Sequence, residues 1–136
     1  MRILGVDFGN SRTGVAISDE LGLTAQPLET ITERDKLVII KRLMVIAKEN
    51  NIDEIVVGMP VNMDGTLGAR AIITRKFGEK LEEKSEIPVK YMDERLSTVS
   101  AGGFLNECDV YGKKRKKIID MVSAVIILQN YIDKNK

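Results

Sequence analysis

Arg2 to Phe8 is a run dominated by Ile3, Leu4 and Val6 and stopped by Gly9-Asn10, which predicts a first strand. Gly14 to Ser18 predicts a second, returning as a hairpin through Asn10 to Thr13. Gln26 to Ile31 predicts a third, where Pro27 removes a ladder donor and so suits a sheet edge. Three consecutive strands of this kind form a meander.

From Thr32 the period changes. Thr32-Glu33-Arg34-Asp35 resembles a capping box, and Leu37, Ile40, Leu43, Met44 and Ala47 then share a helical face as far as Asn50-Asn51. Glu54-Ile55-Val56-Val57-Gly58 is apolar on successive positions, as a parallel strand covered on both faces requires. A second helix, capped by Gly65 or Thr66, carries Ile73, Phe77 and Leu81. Pro88 to Met92 predicts a fifth strand, a shorter helix weakened by Gly102-Gly103 follows Ser97, and a final helix runs from about Lys116 to Ile132. The order βββαβαβαα predicts an α/β fold. Its five-stranded mixed sheet, a three-strand antiparallel meander plus two parallel strands joined by right-handed crossovers, is flanked by helices. At 136 residues, with no internal repeat or low-complexity stretch, this is one domain over residues 1–136.

Composition narrows the chemistry. Aromatic residues are only 4%, so Ile, Val, Leu and Met must build the core. The chain has no His, which excludes a Ser-His-Asp triad, a His-ligated zinc site and an imidazole base. The single Cys108 excludes an internal disulfide and a multi-Cys metal cluster, fits a reducing compartment, and has no His to activate it. No apolar stretch is long enough to span a bilayer, and the opening Met-Arg-Ile-Leu-Gly-Val-Asp reaches a charge too early for a signal peptide. A soluble, cytoplasmic protein with no membrane partner is expected. Its chemistry must rest on carboxylates, hydroxyls, Lys/Arg or an oxygen-bound metal.

In open α/β sheets ligands sit beyond the carboxyl ends of the strands, which directs attention to Asp7, to the segment after Gly58 and to Asp93-Glu94. Asp7 follows a buried apolar run, where a carboxylate is costly unless paired or ligating; it could equally cap the following turn or pair with Arg12. Glu94 ends the fifth strand, so the two carboxylates could converge. Asp120 lies among Ile118, Ile119, Met121, Val122 and Val125 in a helix apolar over most of its circumference. The small Ser123 and Ala124 would let that face approach the sheet; the alternative is Asp120 as an N-cap. Three carboxylates from separate elements, needing no cation between them, suit Mg²⁺ or Mn²⁺, two ions in all. Asn62 and Thr66, in the loop after Gly58, could hold a phosphate.

Net charge is +1, but Lys113, Lys114, Arg115, Lys116 and Lys117 supply five of the 21 basic residues, leaving 16 against 20 acidic, a net of −4, elsewhere. Five adjacent cations predict an extended, exposed arm, pivoting at Gly112 and placing phosphate-binding charge beside Asp120.

Four motifs carry a resemblance that covers essentially the whole chain. They are Gly5-Val6-Asp7-Phe8-Gly9 with Arg12-Thr13-Gly14-Val15-Ala16; Val57 to Thr66; Asp93-Glu94-Arg95-Leu96-Ser97-Thr98; and Asp120-Met121-Val122-Ser123-Ala124. In order and at compatible spacing, they resemble the YqgF/RuvX family of Holliday-junction resolvases and pre-16S rRNA nucleases. The resemblance implies an RNase H-like fold and an acidic catalytic and metal site at Asp7, Glu94 and Asp120. Ser97 stands where the family usually has Thr, Ser123 where it has a small Ala, and Gly102-Gly103 where a helix-favouring pair is common; no carboxylate is lost.

The leading expectation is a metal-dependent nuclease acting on structured RNA, at the 5′ end of pre-16S rRNA, or on branched DNA. Arg12, Asn62, Thr66, Arg95 and Lys113 to Lys117 would contact the nucleic acid, and the protein would be a monomer or homodimer. A phosphotransferase of the actin/sugar-kinase type also begins with an Asp-x-Gly turn, but it needs two such domains. A non-catalytic RNA-binding assembly factor would need the basic segment and not the carboxylates.

Overall fold

The computed structural model describes residues 1–60, 67–93 and 112–135. Its centre is β1 (Ile3–Phe8), which pairs antiparallel with β2 (Arg12–Ser18) and parallel with β4 (Glu54–Met59). β3 (Ala25–Thr32) closes one edge against β2 and β5 (Val89–Asp93) closes the other against β4, in the order β3-β2-β1-β4-β5. The mixed sheet is the one expected, and Pro27 does lie on an edge strand, opposite Ala16 beside a register shift in β2.

Alternation along the strands sorts side chains into two cores. Leu4, Val6 and Phe8, with Val15, Ile55 and Val57, face α1 (Lys36–Glu49) and α2 (Ala69–Ser85), meeting Ile39, Ile40, Leu43, Phe77 and Leu81. Ile3, Ala16 and Val56 face α3 (Gly112–Lys134), meeting Ala124, Ile127, Leu128 and Ile132. Val56 and Val57 thus point into different cores, which is why β4 reads as a continuous apolar run. Each buried Leu, Ile or Val contributes about 1.5–3 kcal/mol. An exposed ion pair such as Arg42–Glu29 gives about 0–1 kcal/mol, so the two cores hold the layers together.

Several boundaries and faces differ from expectation. Thr32 still pairs in β3, so the cap of α1 falls on Asp35, whose Oδ1 accepts from the Leu37 amide at 2.9 Å. The buried stripe of α1 includes Ile39 and Ile46, while Leu37 is exposed. α2 begins at Ala69 behind Gly68, later than Gly65 or Thr66, and has no side-chain cap. Its buried stripe is Ala71, Thr74, Phe77, Gly78 and Leu81 rather than one through Ile73, because small residues let it sit close. Gly78 leaves room for Tyr91, whose hydroxyl would be 2.4 Å from an added Cβ.

The largest correction concerns the basic segment. Lys113 to Lys117 lies within α3, so its backbone is helical from Gly112 rather than an extended arm. Lys and Arg are good helix formers, and a packed helix adds residues at its end without a new nucleation cost. The helix expected after Ser97, with Gly102-Gly103, lies outside the described residues. Among the described residues no helix is long and apolar enough to cross a membrane.

Candidate active site

β1 turns Ile3, Gly5 and Asp7 toward α3, and Leu4, Val6 and Phe8 toward α1 and α2. Asp7 sits directly opposite Gly14 in the β1–β2 ladder, and Gly14 is where α3 comes closest. A Cβ on Gly14 would lie 1.9 Å from the Asp120 carbonyl oxygen; on Gly5 it would lie 2.8 Å from Leu128 Cβ and 3.1 Å from the Ala124 carbonyl. Two strand glycines thus let the helix backbone rest on the sheet. Ser123 and Ala124, 1% and 0% exposed, fill the same contact, as their small size led us to expect.

Asp120 is therefore brought beside Asp7 at the carboxyl end of β1. It lies well inside α3, which excludes the N-cap alternative. Arg12, two residues before Gly14 and on the same face of β2, donates from Nε to Asp120 Oδ2 at 2.8 Å. Arg12 thus pairs with Asp120, where the sequence had offered it as a partner for Asp7. Burial raises the Asp120 carboxyl above its ordinary value, and the hydrogen bond and charge of Arg12 offset part of that rise.

Glu94, Arg95, Asn62 and Thr66 lie outside the described residues, β5 being described as far as the exposed Asp93. Lys113 to Lys117 forms the first turns of α3, on the N-terminal side of Asp120. Among the described residues no three acidic or Cys side chains gather closely enough to hold a metal ion.

Arg70 was missed by the sequence reading. From the first turn of α2 its Nη1 donates to Asn10 Oδ1 at 2.6 Å and its Nη2 to the Phe8 carbonyl at 2.8 Å. Its guanidinium lies 4.9 Å above the Phe8 ring, which stacks on Phe77 at 4.0 Å. It thus clamps the turn leaving Asp7. No spacing rule links position 70 to position 8; only its closeness to the candidate loop could have drawn notice.

Comparison with known proteins bears on the fold and the family. The family model described as "RuvX: Holliday junction resolvase" matches residues 1–134. The chain belongs to the RuvX family. It is 52% identical over 139 residues to the "Putative pre-16S rRNA nuclease" of Geobacillus kaustophilus (strain HTA426), with all of both chains covered. It is 49% identical over 132 residues to the protein of that name from Clostridioides difficile (strain 630), covering 97% of this chain and 94% of that one. Among solved structures, RuvC of T. thermophilus in complex with a Holliday junction substrate matches with TM-score 0.60 and 12% identity, over 99% of this chain and 95% of that one. The Fowlpox virus resolvase bound to Holliday junction DNA matches with TM-score 0.61 and 14% identity, over 99% of both chains. The RuvX chain therefore has the RNase H-like fold of these resolvases.

Proposed function

We propose that this RuvX chain is a metal-dependent nuclease that hydrolyses phosphodiester bonds in nucleic acid, with pre-16S rRNA as substrate in ribosome biogenesis. The observation that supports the reading is that Asp7, on a central strand, lies opposite Gly14, against which the Asp120 backbone of a separate helix packs. The names of relatives about half identical over their full length supply the RNA.

Carboxylate oxygens, in a chain with no imidazole, are hard ligands that fit Mg²⁺ or Mn²⁺. Asp7, Glu94 and Asp120 would hold two such ions. Glu94 is assigned from its place in the sequence, directly after β5. Cations held there would supply activation of a water and stabilisation of the leaving 3′ oxygen in an in-line displacement. The chain's own residues orient the carboxylates: Gly14 admits α3, Ser123 and Ala124 seat it, and Arg70 fixes the Phe8-Gly9-Asn10 turn. Lys113 to Lys117 would draw phosphates toward the site, with Asn62, Thr66 and Arg95 as further contacts.

A Holliday-junction resolvase is the second reading, favoured by the description of the family model. The test is cleavage of precursor rRNA and synthetic four-way junctions in parallel by the purified protein, with Asp7→Asn as control. Divalent-dependent cutting of the rRNA supports the proposal, and cutting of the junction alone transfers it to the second reading. Tight binding with no cutting of either, unaltered in Asp7→Asn, leaves a non-catalytic binder.

A further inference from the structure

The Arg12–Asp120 contact is an odd one for a cation site. Asp7, Arg12 and Asp120 occupy one face of the sheet within two ladder positions, and their formal charges sum to −1. Arg12 thus partly neutralises a site that a divalent cation would neutralise more fully. Its guanidinium and the cation would repel each other and compete for the same carboxylate.

The geometry of Arg12 suits a temporary partner. Its contact with Asp120 is one Nε bond rather than a two-pronged fork. The Arg12 side chain is 33% exposed against 18% for Asp120, so the arginine lies on the solvent side of the pair. It is also the first residue of β2, next to the turn, where a long side chain can swing out without disturbing the ladder.

We infer that Arg12 is a stand-in cation that holds Asp120 in the metal-free protein, yields it to a divalent cation, and then turns its guanidinium to a phosphate of the bound strand. This rests on the reading of Asp120 as a metal ligand. It adds an order of events: the strand-gripping arginine becomes available only when the metal arrives. Arginine is suited to both tasks, since its planar fork matches carboxylate and phosphate alike.

The test is calorimetric titration of Mn²⁺, without nucleic acid, into the parent protein, Arg12→Gln, Arg12→Lys and Asp120→Asn. Removing the competitor should tighten Mn²⁺ binding in Arg12→Gln about tenfold, or about 1.4 kcal/mol. Arg12→Lys, which keeps the charge, should stay near the parent. If Arg12 instead orients Asp120 for the metal, Arg12→Gln binds Mn²⁺ equally or more weakly, and the exchange is overturned. A parent that binds no Mn²⁺, indistinguishable from Asp120→Asn, overturns the metal reading beneath it. The parent protein supplies a second measurement that does not depend on Arg12→Gln folding. The arginine Nε–H resonance that is absent from Arg12→Lys should shift on saturation with Mg²⁺, and shift again on adding a short oligonucleotide. A resonance unmoved by saturating Mg²⁺ overturns the exchange.

Discussion

Gly14 and Asp120 meet backbone to backbone, leaving no space for a Cβ between strand and helix. Because Gly14 also faces Asp7 across the ladder, the contact fixes how far one carboxylate stands from the other. Gly14→Ala should therefore lower stability by about 1–3 kcal/mol, the cost of overpacking, and weaken Mn²⁺ binding as α3 is displaced. Denaturant melts and metal titration check both effects. A variant with parental stability would show that the helix can shift without cost.

Asp7→Asn should reduce divalent-dependent cleavage to background while the fold survives. Stability without metal should stay level or rise, because a neutral amide removes repulsion between neighbouring acids. Undiminished cleavage by the variant, free of contaminating nuclease, would remove Asp7 from the chemistry.

The basic turns of α3 should carry much of the nucleic-acid affinity. If all five charges met phosphates, the log–log salt slope would approach about −4.5 on duplex and −3.5 on single strands. Replacing Lys113 to Lys117 with Gln, which keeps helix propensity, should flatten the slope and leave Mn²⁺ binding intact. Unchanged affinity across a salt titration would place the grip elsewhere.

Tyr131, on α3, donates its hydroxyl to Glu54 on β4. Burial and that carboxylate raise its pKa from 10.0 to about 12. The folded state therefore keeps a proton that the unfolded chain has lost between these values. The resulting stability is complete below about pH 10 and lost as pH rises toward 12. Parent and Tyr131→Phe melts should diverge over that interval, the parent falling faster. Glu54→Gln should make the phenol titrate earlier, read by tyrosinate absorbance.

Much of this architecture was legible in the sequence where one residue type had one physical use. Pro27 marked an edge, the paired valines of β4 marked burial on two faces, and the small residues after Asp120 marked a close helix. The errors arose where context outweighed pattern. Five cations suggested an extended arm, yet continuation of a packed helix absorbed them. Thr32 looked like a cap but was retained by β3. The Arg12–Asp120 pair joins residues 108 apart, and Arg70 reaches back 62 to Phe8; no local periodicity encodes such contacts.

β1 is bonded along both edges as far as Val6, and Asp7 follows directly, held in the ladder opposite Gly14. Asp120 belongs to a helix lying on the sheet and tied at its far end by Gln129 to Ala25 and Leu23 and by Tyr131 to Glu54. Near Asp120 the polar tie among the described residues is Arg12, but the helix backbone also rests there on Gly14, with Ser123 and Ala124 buried against the sheet. Releasing the arginine therefore does not release the helix. The spacing of the two carboxylates is set by packing and their charge balance by a side chain. One can be exchanged without disturbing the other.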